Sequence, residues 1–254
     1  MSEAKPADTS TMALHDAWEH EALKWIEWVR KPNFDSYWTF HRDQFLELVP
    51  APGILTVDVG CGEGRFSRHL NELGHKMASF DPSRTMIEHA KESDPNGRYE
   101  IAQAHVMPLD NACADLAVAF MSLHDVDQLQ SSIDEIARVL GERGKLCMAI
   151  VHPLNSAGSF RGPSSTGEYV IEGSYLESFR YSMPMEREGL EMTFNSMHHS
   201  IDRYSRCLEE AGFLIQALRE HPVPAKVIIE SGRYIGWSRL PLFLHIKAVK
   251  LTHL

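Results

Sequence analysis

The chain has 254 residues, of which 43% are apolar and 24% are charged, and its formal net charge is −10. This length and composition suit one α/β domain with additions. Because the excess charge is negative and no run of Lys or Arg exceeds two residues, the sequence excludes the basic surface typical of proteins that bind nucleic acid or anionic membranes.

Two helices are predicted near the start of the chain. Apolar residues over 18–29 lie close to helical spacing, and a second helical pattern covers 37–48 and ends before Pro50. Residues 1–50 are therefore predicted to form an N-terminal tail and helices that cover a site on the following domain, 51–254. Three tryptophans are expected to pack the first helix onto that domain: Trp18, Trp25 and Trp28.

After Pro52, short apolar runs alternate with helical patterns, which predicts a doubly wound α/β fold with a mostly parallel sheet covered on both faces. Gly141 and Gly144 predict a turn between a helix ending at Leu140 and a strand beginning at Leu146. The strand-like runs are ILTVDV, KMASFD, RYEIAQA, DLAVAF, KLCMAI, FLIQAL and LFLHIKAVKL.

The regular alternation lapses over residues 152–200, which are rich in Gly, Pro and aromatic residues. Long irregular segments in compact domains are usually functional or mobile. We therefore predict an insertion after the fifth strand, on the side of the domain that receives the substrate.

Three glycines follow the first strand in VDVGCGEGRF. Ligands of open parallel sheets bind beyond the carboxyl ends of the strands, and Gly60, Gly62 and Gly64 would let backbone N–H groups approach such a ligand. The dinucleotide pattern GxGxxG is not met, because Arg65 occupies the third small position. Asp58 would repel a pyrophosphate and favours a ligand with a cationic group. A nicotinamide-dependent oxidoreductase is therefore the alternative rather than the preferred interpretation.

The glycine loop, the acidic end of KMASFD, and the later segments AVAFMSLHDV and IARVLGERGKL resemble successive motifs of class I S-adenosylmethionine-dependent methyltransferases. The resemblance covers about residues 54–151. It implies a Rossmann-like sheet of seven strands with the last one antiparallel, and S-adenosylmethionine as cofactor with S-adenosylhomocysteine as product. The implied cofactor-binding residues are Asp58, Gly60, Cys61, Gly62, Gly64, Asp81, Pro82, Met86, Gln103, Ala104, His105, Phe120 and Met121.

The resemblance also implies individual roles. Asp81 matches the acidic residue that accepts hydrogen bonds from both ribose hydroxyls, although a carboxylate there could instead cap the next helix. Gln103 stands where the family usually has Asp facing the adenine amino group, so the hydrogen bond is kept without the charge. GER replaces the usual PGG turn near Gly144.

Histidines that follow strands are candidate general bases, because an ordinary imidazole pKa lies near neutrality. His124 follows the fourth strand, His152 follows the fifth, and His199 closes the insertion; each can instead be a structural residue. Aromatic residues of the flanking segments are predicted to contact a planar acceptor: Tyr37, Trp38, Tyr175 and Phe179.

The sequence therefore predicts transfer of a methyl group to an O or N atom of a small, aromatic or planar metabolite. A cofactor-binding protein without catalysis is a further alternative. Four separated cysteines without a CxxC pair indicate no metal site and no disulfide framework, and no signal or membrane-spanning segment is visible. We expect a cytoplasmic monomer or homodimer with a small-molecule substrate, and neither nucleic acid nor membrane as a partner.

Overall fold

The computed structural model describes residues 12–32, 34–163 and 166–251. The start of the predicted tail, residues 1–11, lies outside this described part. The strands are β1 (Thr56–Val59), β2 (Met77–Asp81), β3 (Tyr99–Ile101), β4 (Ala114–Phe120), β5 (Leu140–Val151), β6 (Gly158–Arg161), β7 (Glu168–Ile171), β8 (Phe179–Arg187), β9 (Leu190–His198), β10 (Phe213–Arg219) and β11 (Phe243–Lys250).

Seven of these strands form the central sheet, in the order β3-β2-β1-β4-β5-β11-β10. The pairs among β1 to β5 are parallel, whereas β11 runs antiparallel to both β5 and β10. The predicted fold is therefore confirmed, including the antiparallel last strand.

Helices cover both faces of this sheet. On β4, Ala117 and Ala119 face a core shared with Ile133 of α5, whereas Leu116 and Val118 face the opposite core. Neighbouring residues of one strand are thus buried on opposite faces, as a doubly covered sheet requires. The α-helices are α1 (Leu14–Arg30), α2 (Arg42–Leu46), α3 (Arg65–Glu72), α4 (Arg84–Ser93), α5 (Leu129–Val139), α6 (Pro153–Ala157), α7 (Ile201–Glu210) and α8 (Ala225–Ser231).

The second predicted helix, 37–48, is irregular: a π-helical turn, Tyr37–His41, leads into α2. The π-helical turn buries both Tyr37 and His41. Single π-helical turns within helices are frequent at functional sites.

The predicted turn at Gly141 and Gly144 is wrong. Strand β5 begins at Leu140, directly after α5, and its pairing with β4 shifts register between Ala114 and Leu116. The four residues 141–144 form a bulge in which Arg143 has a φ of 59°. A strand that contains a bulge therefore replaces the separate turn.

Residues 152–200 are more regular than the sequence predicts. They contain the short hairpin β6–β7 and the long hairpin β8–β9, whose nine residue pairs run from Phe179↔His198 to Arg187↔Leu190. Glu188 and Gly189 form the turn, with φ values of 52° and 77°. Neither hairpin joins the central sheet.

Helix α1 connects the sheet domain to the long hairpin. Its Glu19 carboxylate accepts hydrogen bonds from Ser83 Oγ and from Thr85 Oγ1 at 2.7 Å, at the start of α4. At the preceding residue, Trp18 Nε1 donates to the carbonyl oxygen of Asn195 in β9 at 3.0 Å. Within the described part of the chain, no helix is both long enough and apolar enough to cross a membrane.

Candidate functional site

A cavity of about 890 Å³ lies at the carboxyl ends of the parallel strands. Its wall includes the residues that follow β1, β2, β4 and β5, together with α1, the π-helical turn and the β8–β9 hairpin. This is the position at which open α/β sheets bind their ligands.

The glycine loop forms one wall of the cavity. Gly60 and Gly62 line it with φ values of 75° and 56°, in the left-handed region that favours glycine. A Cβ on Gly60 would lie 2.4 Å from Ser122 Cβ, whereas a Cβ on Gly62 would have Trp25 Nε1, at 3.9 Å, as its nearest neighbour. Gly62 therefore keeps clear a space between the loop and α1.

Asp81 ends β2 beside this loop. One carboxylate oxygen accepts the Gly62 N–H at 2.8 Å, and the other accepts the Ser83 N–H at 2.9 Å. Burial is the main reason that the pKa of Asp81 is raised to about 6. The cap of α4 is Ser83, whose Oγ accepts the Met86 N–H. The Asp81 carboxylate thus orders the loop and still has lone pairs for a ligand in the cavity.

Asp58 lies behind the loop, on β1, with 1% of its surface exposed. Ser67 Oγ donates a hydrogen bond of 2.6 Å to its carboxyl group. Burial raises the pKa of Asp58 to about 7, despite that hydrogen bond. The Asp58 carboxyl group therefore changes from protonated to ionised as the pH rises through neutrality.

The cofactor-free protein is expected to lose stability as pH rises from about 4 to about 7. Over this range the folded protein retains a proton on Asp58 that the unfolded chain, with a carboxyl pKa of 3.8, releases. The free energy of unfolding should therefore fall, by on the order of 3 kcal/mol. Asp58→Asn keeps an oxygen for Ser67 and should remove this contribution, measured by urea unfolding at several pH values, whereas the contributions of Asp81 and Asp125, whose pKa values burial also raises, should remain.

The control for this prediction is Asp202→Asn, because the Asp202 side chain is 63% exposed on α7. That variant should keep the slope of the parent protein. Equal slopes in the two variants would show that Asp58 does not cause the pH dependence.

A second polar group lies at the end of β4. The Asp125 carboxyl group accepts a hydrogen bond of 2.6 Å from Ser196 Oγ in β9, and burial raises its pKa well above the usual range. His124 Nε2 lies 3.5 Å from the same carboxyl group. Burial lowers the pKa of His124 to about 3, so its imidazole is neutral at physiological pH.

Aromatic and sulfur-containing side chains of α1 and the β8–β9 hairpin form another wall of the cavity, which meets the glycine loop at Trp25. Trp18 and Trp25 contact Phe194 of β9 edge to face, with ring centres 6.2 and 6.0 Å apart. These tryptophans pack α1 onto the hairpin, as expected, but they also line the cavity. Sequence reasoning missed the hairpin residues of this wall, which are Arg180, Met183, Met185, Arg187 and Ser196.

The structure brings most of the predicted cofactor residues to the cavity. Gly64 lies outside the wall: it caps α3, and its hypothetical Cβ would lie 2.8 Å from Tyr99 Cε1. The predicted cofactor residues in the wall are Asp58, Gly60, Cys61, Gly62, Asp81, Pro82, Met86, Gln103, Ala104, His105, Phe120 and Met121.

Among the predicted catalytic residues, only His124 lines the cavity. His152 Nε2 hydrogen-bonds Glu220 at 2.8 Å, and its Nδ1 accepts the Leu154 N–H as the cap of α6. His199 Nδ1 hydrogen-bonds Ser178 Oγ at 2.7 Å. Both histidines are buried in polar contacts behind the site, and the structure gives neither of them access to the cavity wall.

Among the predicted acceptor-binding residues, only Tyr37 lines the cavity. Trp38 is 55% exposed, because the π-helical turn directs it to the surface. Phe179 stacks on His198 with ring centres 4.6 Å apart, and the Tyr175 hydroxyl accepts the Ile201 N–H. Phe179 and Tyr175 thus hold the end of the insertion in place and Trp38 lies at the surface, so none of the three faces the cavity. Sequence spacing could not distinguish an aromatic ring that lines the cavity from one that lies elsewhere in the protein.

Comparison with known proteins agrees with this geometry. Residues 57–148 match a family described as a methyltransferase domain. A malonyl-[acyl-carrier protein] O-methyltransferase of Pectobacterium atrosepticum is 29% identical over 108 residues, which are 42% of this chain and 43% of that protein. The match therefore spans less than half the length of this curated relative.

Solved structures share the fold over more of the chain. An S-adenosylmethionine-dependent methyltransferase from Mesorhizobium loti has a TM-score of 0.69 at 22% identity, covering 85% of this chain and 98% of that one. The [4+2]-cyclase SpnF has a TM-score of 0.64 at 16% identity, covering 99% and 100%. Together with the family match, these findings identify residues 57–148 as a methyltransferase domain and give the chain the fold of S-adenosylmethionine-dependent methyltransferases. The predicted class and its cofactor are thus confirmed.

The residues present fit this cofactor. The space that Gly62 keeps clear can receive the aminocarboxylate end, and the Asp81 carboxylate can accept hydrogen bonds from a diol. In the part of the chain that the structure describes, no cluster of three or more His, Cys, Asp or Glu side chains is arranged to hold a metal ion.

Proposed function

We propose that the protein transfers a methyl group from S-adenosylmethionine to an oxygen or nitrogen atom of a small, aromatic or planar molecule. The observation that carries this proposal is one continuous cavity lined both by the glycine loop and Asp81 and by an aromatic wall. A cofactor and an acceptor can therefore meet in one cavity.

The bound cofactor supplies an electrophilic methyl group, so the protein needs mainly to orient the acceptor and exclude water. Orientation alone can contribute about 7–11 kcal/mol to lowering a barrier. The rings of Trp28 and Phe34, 5.1 Å apart, and of Phe194 give the acceptor side flat apolar surfaces. Such surfaces favour stacking with a planar molecule.

Transfer to oxygen is the preferred form of the proposal. It is supported by the relatives that are named as O-methyltransferases. Their acceptor, a malonyl-[acyl-carrier protein], is not proposed for this chain, because the matched region covers less than half of those relatives. We further propose that residues 152–200 form the acceptor side of the site, with residues 12–50 covering it.

The test combines binding and transfer. Calorimetry should show binding of S-adenosylmethionine and none of NAD, and a radiolabelled methyl group should appear on members of a panel of phenols, amines and aromatic acids. Tight NAD binding without S-adenosylmethionine binding would instead favour the oxidoreductase. Good cofactor binding without transfer to the panel or to a metabolite extract would favour a non-methyltransferase role, consistent with a structural neighbour that is named as a cyclase.

A further inference from the structure

Three histidines connect the cavity to the protein surface. His41, in the π-helical turn, lines the cavity, and its ring centre lies 4.7 Å from that of Phe120. Phe120 ends β4 and is among the residues predicted to bind the cofactor. His41 is therefore close to the end of the cavity where the reacting groups are expected to meet.

His41 is held in a fixed orientation. Its ring stacks on Phe243 with a centre-to-centre distance of 3.6 Å and an interplanar angle of 3°. Its Nε2 lies 2.9 Å from Nε2 of His245 on β11. A hydrogen bond between two imidazole nitrogens requires one N–H and one lone pair, so these two rings share a single proton.

The histidines continue away from the cavity. The ring of His221, in the loop after β10, lies 5.3 Å from that of His245. Neither His245 Nδ1 nor His221 Nε2, both buried, has a hydrogen-bond partner among the described residues, so these atoms do not bond each other and a proton moving between the two rings needs one bridging water. His221 Nε2 lies 3.9 Å from the carboxylate of Glu47, whose side chain is 64% exposed. The chain of rings thus ends at a solvated carboxylate.

From this arrangement we infer that His41 accepts the proton of an O–H or N–H acceptor during methyl transfer, and that His245 and His221 pass a proton on to solvent. The inference rests on the proposed function. In the step, the acceptor's O–H or N–H bond breaks and its electron pair forms the bond to the methyl carbon. The C–S bond of the cofactor breaks with its electrons left on sulfur. The proton goes to His41, which releases the shared proton to His245.

The surroundings keep His41 unprotonated before the reaction. Burial and the charged or titratable groups that face it, which are His245 on β11, Arg65 on α3, His124 after β4 and His221 after β10, hold its pKa well below the usual range. The imidazole is therefore neutral at pH 7. Burial also lowers the pKa of His245, to about 3, so a transferred proton does not stay on either ring and has to pass on towards His221 and solvent.

The inference also defines an acceptor class. Phenols, alcohols and amines carry a proton that must leave, whereas carboxylic acids have already lost theirs at pH 7. Methyl transfer to phenols, alcohols and amines should therefore depend on His41, and transfer to carboxylic acids should not.

The experiment compares His41→Gln and His221→Gln with the control His69→Gln, because His69 pairs with Glu72 on the surface of α3. Initial rates are measured with radiolabelled S-adenosylmethionine, a series of substituted phenols and a series of aromatic carboxylic acids. His41→Gln should lower phenol turnover at pH 7 by about 10²–10⁴-fold without changing cofactor affinity. The deficit should shrink as pH approaches the acceptor's pKa. His221→Gln should show a smaller loss, and His69→Gln none.

A second measurement does not depend on turnover. Long-range ¹H–¹⁵N spectra of the cofactor-free protein should show one proton between the two Nε2 atoms of His41 and His245, and two independent N–H groups there would overturn the inference. Full phenol turnover by folded His41→Gln, or transfer only to carboxylic acids, would overturn the inference and leave methyl transfer standing. A parent protein that binds the cofactor but methylates no acceptor would overturn the proposed function, and the inference with it.

Discussion

Asp81→Ala is expected to weaken S-adenosylmethionine binding by about 10- to 100-fold, measured by calorimetry at pH 7.5. Hydrogen bonds to a charged group contribute about 1.5–3 kcal/mol each, and the substitution removes the carboxylate that can accept them from a ribose. The loss should be large because the same carboxylate also accepts the Gly62 N–H and holds the loop in position.

Two variants complete this experiment. Asp81→Asn keeps one oxygen acceptor and loses the charge, so its affinity should fall between those of the parent and the alanine variant. Glu88→Ala, whose side chain is 63% exposed on the neighbouring helix α4, is the matched control and should bind normally. An Asp81→Ala protein with parental affinity would show that neither a ribose contact nor the ordering of the loop by Asp81 contributes to cofactor binding.

Gly60→Ala is expected to lower the free energy of unfolding by about 2–5 kcal/mol and to abolish cofactor binding at micromolar concentrations. The left-handed backbone costs a residue with a Cβ about 1–2 kcal/mol. Overpacking adds about 1–3 kcal/mol, because the new Cβ would lie 2.4 Å from Ser122 Cβ. Urea unfolding and calorimetry measure the two effects.

Gly189→Ala separates these two costs. Gly189 has a φ of +77°, but nothing lies within 4 Å of its hypothetical Cβ, so only the backbone cost should appear. Gly62→Ala also has room for a Cβ in the cofactor-free protein. It should therefore lower the free energy of unfolding by no more than Gly189→Ala does, and it should still impair cofactor binding. If Gly60→Ala and Gly189→Ala were equally stable, the close approach to Ser122 would carry no energetic weight.

The fold of residues 54–151 could be predicted because its signals are local. Each buried parallel strand is a short apolar run, and each covering helix has its own period. The bulge over 141–144 could not be predicted in the same way, because Gly141 and Gly144 fit a turn equally well. The β8–β9 hairpin left a signal that was not used, since Glu188-Gly189 separates two alternating runs, as a two-residue hairpin turn does.

The residues of the candidate site also fall into those that local signals place and those that long-range packing places. Asp58 lies near the end of β1, Gly60 follows that strand and Asp81 ends β2, so topology alone places them together. His41 and Met185 reach the cavity only through the docking of the π-helical turn and the hairpin, which depends on long-range packing. The sequence likewise does not reveal that His152 is held by Glu220, a residue 68 positions away.

The β8–β9 hairpin has a consequence for how this protein could diversify. The family match ends at residue 148, three residues before β5 ends, and the hairpin lends no strand to the central sheet. In our proposal, residues 57–148, which are shared with the family, bind the nucleoside of the cofactor, and the added β8–β9 hairpin selects the acceptor. Exchanging the β8–β9 hairpin between related enzymes would change which acceptor is methylated while leaving the central sheet and its cofactor-binding residues intact.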